Sequence, residues 1–115
     1  MKHVTIIAVP KALGSAVTIP LEMLSAANDI ARSRRQLDKL VTIELASGVD
    51  STDLQLSGGL RISCQATLGA IKNSDLIFVP GIWGNPRATI PKLQPLLRWL
   101  VEQYKAGSTL CSIVT

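Results

Sequence analysis

Apolar and polar positions along this chain fall into short dense runs separated by longer amphipathic stretches. Residues 4–9 (VTIIAV) form an almost unbroken β-branched run, as expected of a strand covered on both faces, and Pro10 ends it. After a loop holding Gly14 and Ser15, residues 18–32 (TIPLEMLSAANDIAR) read as a helix. Leu21, Leu24, Ala27 or Ala31, and Ile30 recur there at helical spacing, with Pro20 in an early position. Residues 40–46 (LVTIELA) alternate as a second strand with one more exposed face, nearer an edge of its sheet. Residues 47–59 are polar and glycine-bearing, either loop or short hairpin. Residues 60–63 suit a short strand, and 66–72 a helix of about two turns.

The second half repeats the scheme. Residues 75–80 (DLIFVP) predict a buried strand that Pro80-Gly81 ends sharply, followed by a loop with Trp83, Gly84, Asn85 and Pro86. The clearest helix is IPKLQPLLRWLVEQYKAG, residues 90–107. Leu93, Leu96, Leu97, Leu100, Val101 and Tyr104 are its predicted apolar face, and Gly107 its cap; Pro91 and Pro95 leave its first residue open. Residues 107–115 (GSTLCSIVT) then read as a last buried strand. Strands alternating with helices predict right-handed βαβ units and a mostly parallel sheet, an α/β three-layer sandwich of flavodoxin type, incomplete at its C-terminus.

Composition narrows the function classes. At 115 residues, 47% hydrophobic and 17% charged, the chain is at most one packed domain. Its net charge of +4 is mild. The basic cluster Arg32, Arg34, Arg35 and Lys39 sits at a helix end, where it reads as a solvated face and not as a nucleic-acid groove. Cys64 and Cys111 form no CxxC motif, which points to a reduced, cytoplasmic chain, and no run is long enough to span a membrane. His3 is the only histidine and lacks partners at ligand spacing; it reads as a surface residue, with neither metal nor Ser/His/Asp chemistry expected of it. No phosphate-binding glycine motif occurs, and no cofactor is expected.

The order strand, TIPLEMLSAAN, strand and loop, DLIFVPGIWG, amphipathic helix and GSTLCSIVT resembles the class I glutamine amidotransferase-like superfamily, PfpI type. Within it, the chain is most similar to sensory domains of AraC-family transcriptional regulators, and the likeness runs over essentially all of it. In catalytic members the last strand enters a nucleophile elbow of the kind A-x-C-x-G. Here Val114 takes the cysteine's place, and Cys111 lies three residues earlier, inside the strand. The loop before the first helix supplies a carboxylate in those members; here that column holds Ala16. The resemblance therefore implies no catalytic residues and a non-catalytic domain that senses a small-molecule effector and forms homodimers. It further implies DNA contact only through a C-terminal helix-turn-helix region outside these residues, in a longer natural protein; these residues alone would expose apolar surface and favour self-association.

Gly81, Ile82, Trp83, Val114 and Thr115 are the expected ligand-binding positions. Gly81 and Ile82 match the turn that offers backbone amides, and Trp83 is an aromatic over the crevice. Gly81 could equally serve only to make a sharp turn, Trp83 could pack on Pro86 or cover a subunit interface, and Glu22 points either to the crevice or to solvent. The alternative is a PfpI-type cysteine-dependent hydrolase or lyase (peptidase, amidase, hydratase or glyoxalase-like), which needs Cys111 at the elbow.

Overall fold

The computed structural model describes residues 2–113. Strand β1 (Lys2–Ala8) leads into helix α1 (Gly14–Ser33), then β2 (Val41–Ser47), a small hairpin of β3 (Asp53–Gln55) and β4 (Arg61–Ser63), and the two-residue β5 (Ala66–Thr67). Strand β6 (Leu76–Pro80), the one-turn α2 (Pro86–Thr89), α3 (Gln94–Lys105) and β7 (Thr109–Ile113) complete it. Five strands lie in the order β5-β2-β1-β6-β7, every pair parallel, with β3 and β4 forming a separate antiparallel pair. This is the parallel α/β architecture expected from the sequence.

From β1 the chain moves to one side through α1, and from β6 to the other through α3. Right-handed crossovers therefore place the two helices on opposite faces of the sheet. Ile6, Ile7, Ala8 and Ile77 have no exposed surface, because β1 and β6 are covered on both sides. Gly48 sets how closely α3 approaches: a Cβ there would stand 2.6 Å from Val9 Cγ1 and 3.1 Å from Leu96 Cδ2. Ahead of its pairing with β5, the outer edge of β2 is closed by side chains. Asn28 of α1 donates to the Val41 carbonyl and accepts from its amide at 2.9 and 3.0 Å, and the Gln65 Oε1 accepts from the Leu45 amide at 3.0 Å. Both block strand pairing there, as an exposed sheet edge requires.

Five sequence expectations need correction. Strand β7, expected to be buried, is the last in the strand order and leaves Thr109, Leu110 and Ser112 exposed. Helix α1 begins at Gly14, not near Thr18, so Pro20 lies inside it; burial of Ala16 and Val17 in the core draws the helix back over those residues. Residues 66–72 are not a helix. Ala66–Thr67 pair with the end of β2, and only one tight turn, Leu68–Ala70, follows. On α3 the buried face is Leu96, Trp99 and Gln103, with Leu93 just before the helix, whereas Leu97, Val101 and Tyr104 are exposed. His3, finally, is no bare surface residue. Its Nε2 lies 2.8 Å from Glu44 Oε1 and its Nδ1 3.2 Å from Ser74 Oγ, joining the start of β1 to the middle of β2 and to the residues just before β6.

Candidate functional site

The carboxyl ends of β1, β6 and β7 meet at the point where the chain's strand order reverses, the position at which open α/β sheets bind ligands. After β1 the backbone turns through Lys11, whose φ of 67° is left-handed, into Ala12 and Leu13. After β6 it runs through Gly81 and Ile82 alongside them, with Ala12 and Ile82 forming an isolated antiparallel bridge. The Leu13 amide donates to the Gly81 carbonyl and the Trp83 amide to the Lys11 carbonyl, each at 2.9 Å. The hairpin locks the same corner, since the Ser57 amide donates to the Ala12 carbonyl at 2.9 Å.

These bonds sort the expected amide donors. Pro80 has no N–H and faces Ile113 in the parallel register, and the Ile113 carbonyl lies 3.0 Å from where a Gly81 Cβ would stand. That contact, with Leu13 Cδ1 at 3.3 Å, explains glycine at this turn. Ile82 and Ala12 form the non-hydrogen-bonded kind of antiparallel pair, which turns the Ile82 amide away from the bridge. Among the described residues it donates to no protein acceptor.

Trp83 follows with 67% of its surface exposed, and Asn85 starts the next turn by accepting from the Arg87 amide at 3.0 Å. Ala16 is the third residue of α1, with only 1% of its surface exposed. Cys111 is half-buried inside β7, level with Phe78. Glu22 is on the exposed side of α1, and its side chain has no hydrogen bond or ion pair among the described residues. Val114 and Thr115 lie outside the described residues. The structure thus brings Gly81, Ile82 and Trp83 to one corner, and it adds Ala12 and Leu13, whose bridge no sequence motif announced. Hollows of about 540 Å³ beside the β3–β4 hairpin and about 490 Å³ between Asp50 and Lys92 lie apart from these three residues.

At the opposite end of the sheet, the histidine cluster places serine and glutamate on the two nitrogens of one imidazole. Its serine is already engaged: Thr5 donates to Ser74 Oγ at 2.8 Å, the Ser74 hydroxyl lies 3.1 Å from the Leu76 carbonyl, and Ser108 Oγ donates to the Ser74 carbonyl. Ser74 and Thr5 are buried. Such a satisfied network fixes strand ends and leaves no free hydroxyl for attack. Among the described residues, no three His, Cys, Asp or Glu side chains gather as a metal site, and no helix is long and apolar enough to cross a membrane.

Cys64, beside the hairpin, is buried, and burial first, then the carboxylate of Asp53, pushes its thiol above the ordinary value. Below the unfolded thiol's pKa both states keep the proton. Above it only the unfolded chain ionises, so stability is lost as pH rises past about 8.5. The urea midpoint is expected to fall between about pH 8 and pH 10, and to fall less in Cys64→Ala; equal slopes in the two proteins would refute this.

No family model and no curated protein matches the sequence. Solved structures do match. A DJ-1 superfamily protein from Salmonella typhimurium superposes on 100% of this chain and 56% of its own, with a TM-score of 0.76 and 18% identity. DJ-1beta from Drosophila melanogaster gives 0.76 at 17% identity, over 99% of this chain and 55% of its own. An AraC family transcriptional regulator from Pseudomonas putida gives 0.71 at 20% identity, over 97% of this chain and 64% of its own. The chain therefore has the DJ-1/PfpI fold, and it spans a little over half the length of these structures.

Proposed function

We propose that this chain is the sensory part of an AraC-family transcriptional regulator, a cytoplasmic, non-catalytic module that binds a small-molecule effector and pairs with a second copy. One observation carries the reading. The crevice keeps its backbone, with a tightly bridged turn and an uncommitted Ile82 amide, while the column for the acid holds a buried alanine. Valine at the nucleophile column has no atom for covalent chemistry. The likeness to an AraC family regulator over nearly the whole chain supports the same reading. An effector would be met by the Ile82 amide with Trp83 as an apolar wall. Its binding would shift the population of states that present a DNA-binding region lying outside these residues.

The test compares Cys111 with free glutathione toward iodoacetamide at pH 7, read by mass spectrometry. A non-catalytic domain is expected to alkylate there no faster than glutathione. Rapid, stoichiometric modification of Cys111 would instead favour the cysteine-dependent hydrolase or lyase.

A further inference from the structure

The two ring nitrogens of His3 meet different chemistry. Nε2 lies 2.8 Å from Glu44 Oε1, a carboxylate that only accepts, so this nitrogen carries hydrogen whether the ring is neutral or charged. Nδ1 lies 3.2 Å from Ser74 Oγ and 3.5 Å from Thr5 Oγ1, and it accepts in the neutral ring but donates in the imidazolium. Thr5 gives its hydroxyl hydrogen to Ser74 Oγ at 2.8 Å. Ser74 has three acceptors in reach for its own: Nδ1, the Leu76 carbonyl at 3.1 Å and the His3 carbonyl at 3.3 Å. The last of these already takes the Asp75 amide at 2.9 Å.

We propose that His3 and Ser74 form a proton-operated switch in the hydrogen bonding where β1 meets the start of β6. With the ring neutral, the Ser74 hydroxyl donates to Nδ1. A proton added at Nδ1 makes that nitrogen a donor to Ser74 Oγ, and the serine's hydrogen, staying on its oxygen, rotates to the Leu76 carbonyl. Ser74 Oγ accepts from Thr5 and the imidazolium together, so both states keep the buried hydroxyls paired. The new charge falls between Glu44 of β2 and Asp75, whose Oδ2 takes the His3 amide at 2.8 Å. The hollow beside the ring, lined also by Asn73, Gln103 and Ser108, adds no other charged side chain among the described residues. With 24% of its side-chain surface exposed, His3 stays open to protons from solvent. Ser74 is also where α3 and β7 are tied in, since Ser108 Oγ donates to its carbonyl and lies 3.4 Å from Gln103 Oε1. The switch stands at the end of the sheet opposite the crevice, and it needs no effector.

Nitrogen NMR of the isotope-labelled 115-residue chain, titrated from about pH 5 to pH 8, tests it. In the neutral ring the proton is expected on Nε2 and the lone pair on Nδ1. The amide nitrogen of Ile77, which shares a peptide group with the Leu76 carbonyl, is expected to shift with the same midpoint as the ring. Ser74→Ala should abolish that shift while the ring still titrates. A neutral ring with its proton on Nδ1 would overturn the proposal, as would an Ile77 nitrogen that ignores the ring or follows it equally in Ser74→Ala. The ring tautomer is read in the unaltered protein, so that arm of the test stands even where Ser74→Ala does not fold.

Discussion

Trp99→Ala is expected to lower the stability of the fold by about 3–5 kcal/mol, a large share of what a domain of this size possesses. Trp99 is 9% exposed and lies in the core with Leu93 and Leu96. Its indole N–H also donates to the Ile71 carbonyl at 3.3 Å, holding α3 to the loop between β5 and β6. Truncation therefore opens a cavity and leaves a buried carbonyl without its donor. The two parts separate in Trp99→Phe, which keeps most of the apolar bulk and loses only the donor, at about 1–3 kcal/mol. Urea unfolding followed by far-ultraviolet circular dichroism reads both. An alanine variant within about 1 kcal/mol of the parent would show that α3 is not anchored through this side chain.

Trp99 also shows how far the sequence could be read. Strands β1 and β6 were legible because their apolar runs have no polar face, and α3 was legible as a helix from its spacing. Which face of α3 turns inward was not. Leu97, Val101 and Tyr104 continue the same apolar arc as Leu96 and Leu100, so hydrophobicity alone draws the buried strip too wide. The rotation is settled by two polar contacts across sequence, Trp99 to the Ile71 carbonyl and the Gln103 amide to the Lys72 carbonyl at 3.0 Å. A buried glutamine is stable only with such a partner, and nothing local announces it. His3 was misread for the same reason, since its partners Glu44 and Ser74 are 41 and 71 residues away. At the crevice, Gly81, Ile82 and Trp83 could be picked out from PGIWG. The close approach of the Ile113 carbonyl to Gly81 depends on Pro80 facing Ile113, a register that only the folded sheet reveals.

Ala16→Glu places back the acid that the resemblance assigns to catalytic relatives, and it is expected to cost about 2–4 kcal/mol at pH 7. The parent methyl is 1% exposed in the first turn of α1, so the longer side chain must displace core atoms or carry its charge among them. Proximity to the helix N-terminus favours an anion by only about 0.3–1 kcal/mol, too little to offset desolvation. Burial raises the carboxyl's folded pKa above its unfolded value of about 4.3. Between those two values the unfolded chain loses its proton first, so stability falls as pH rises through the window and the penalty fades below it. Ala16→Gln has nearly the same size and no charge, and its cost should not vary with pH over that window. Urea midpoints of the two variants at about pH 4 and pH 7 separate overpacking from charge burial. If Ala16→Glu were as stable as the parent at pH 7, with an ordinary carboxylate titration, the crevice would have room for a solvated acid. The buried alanine would then no longer argue against catalysis, and the case for a pure sensor would rest on the nucleophile column alone.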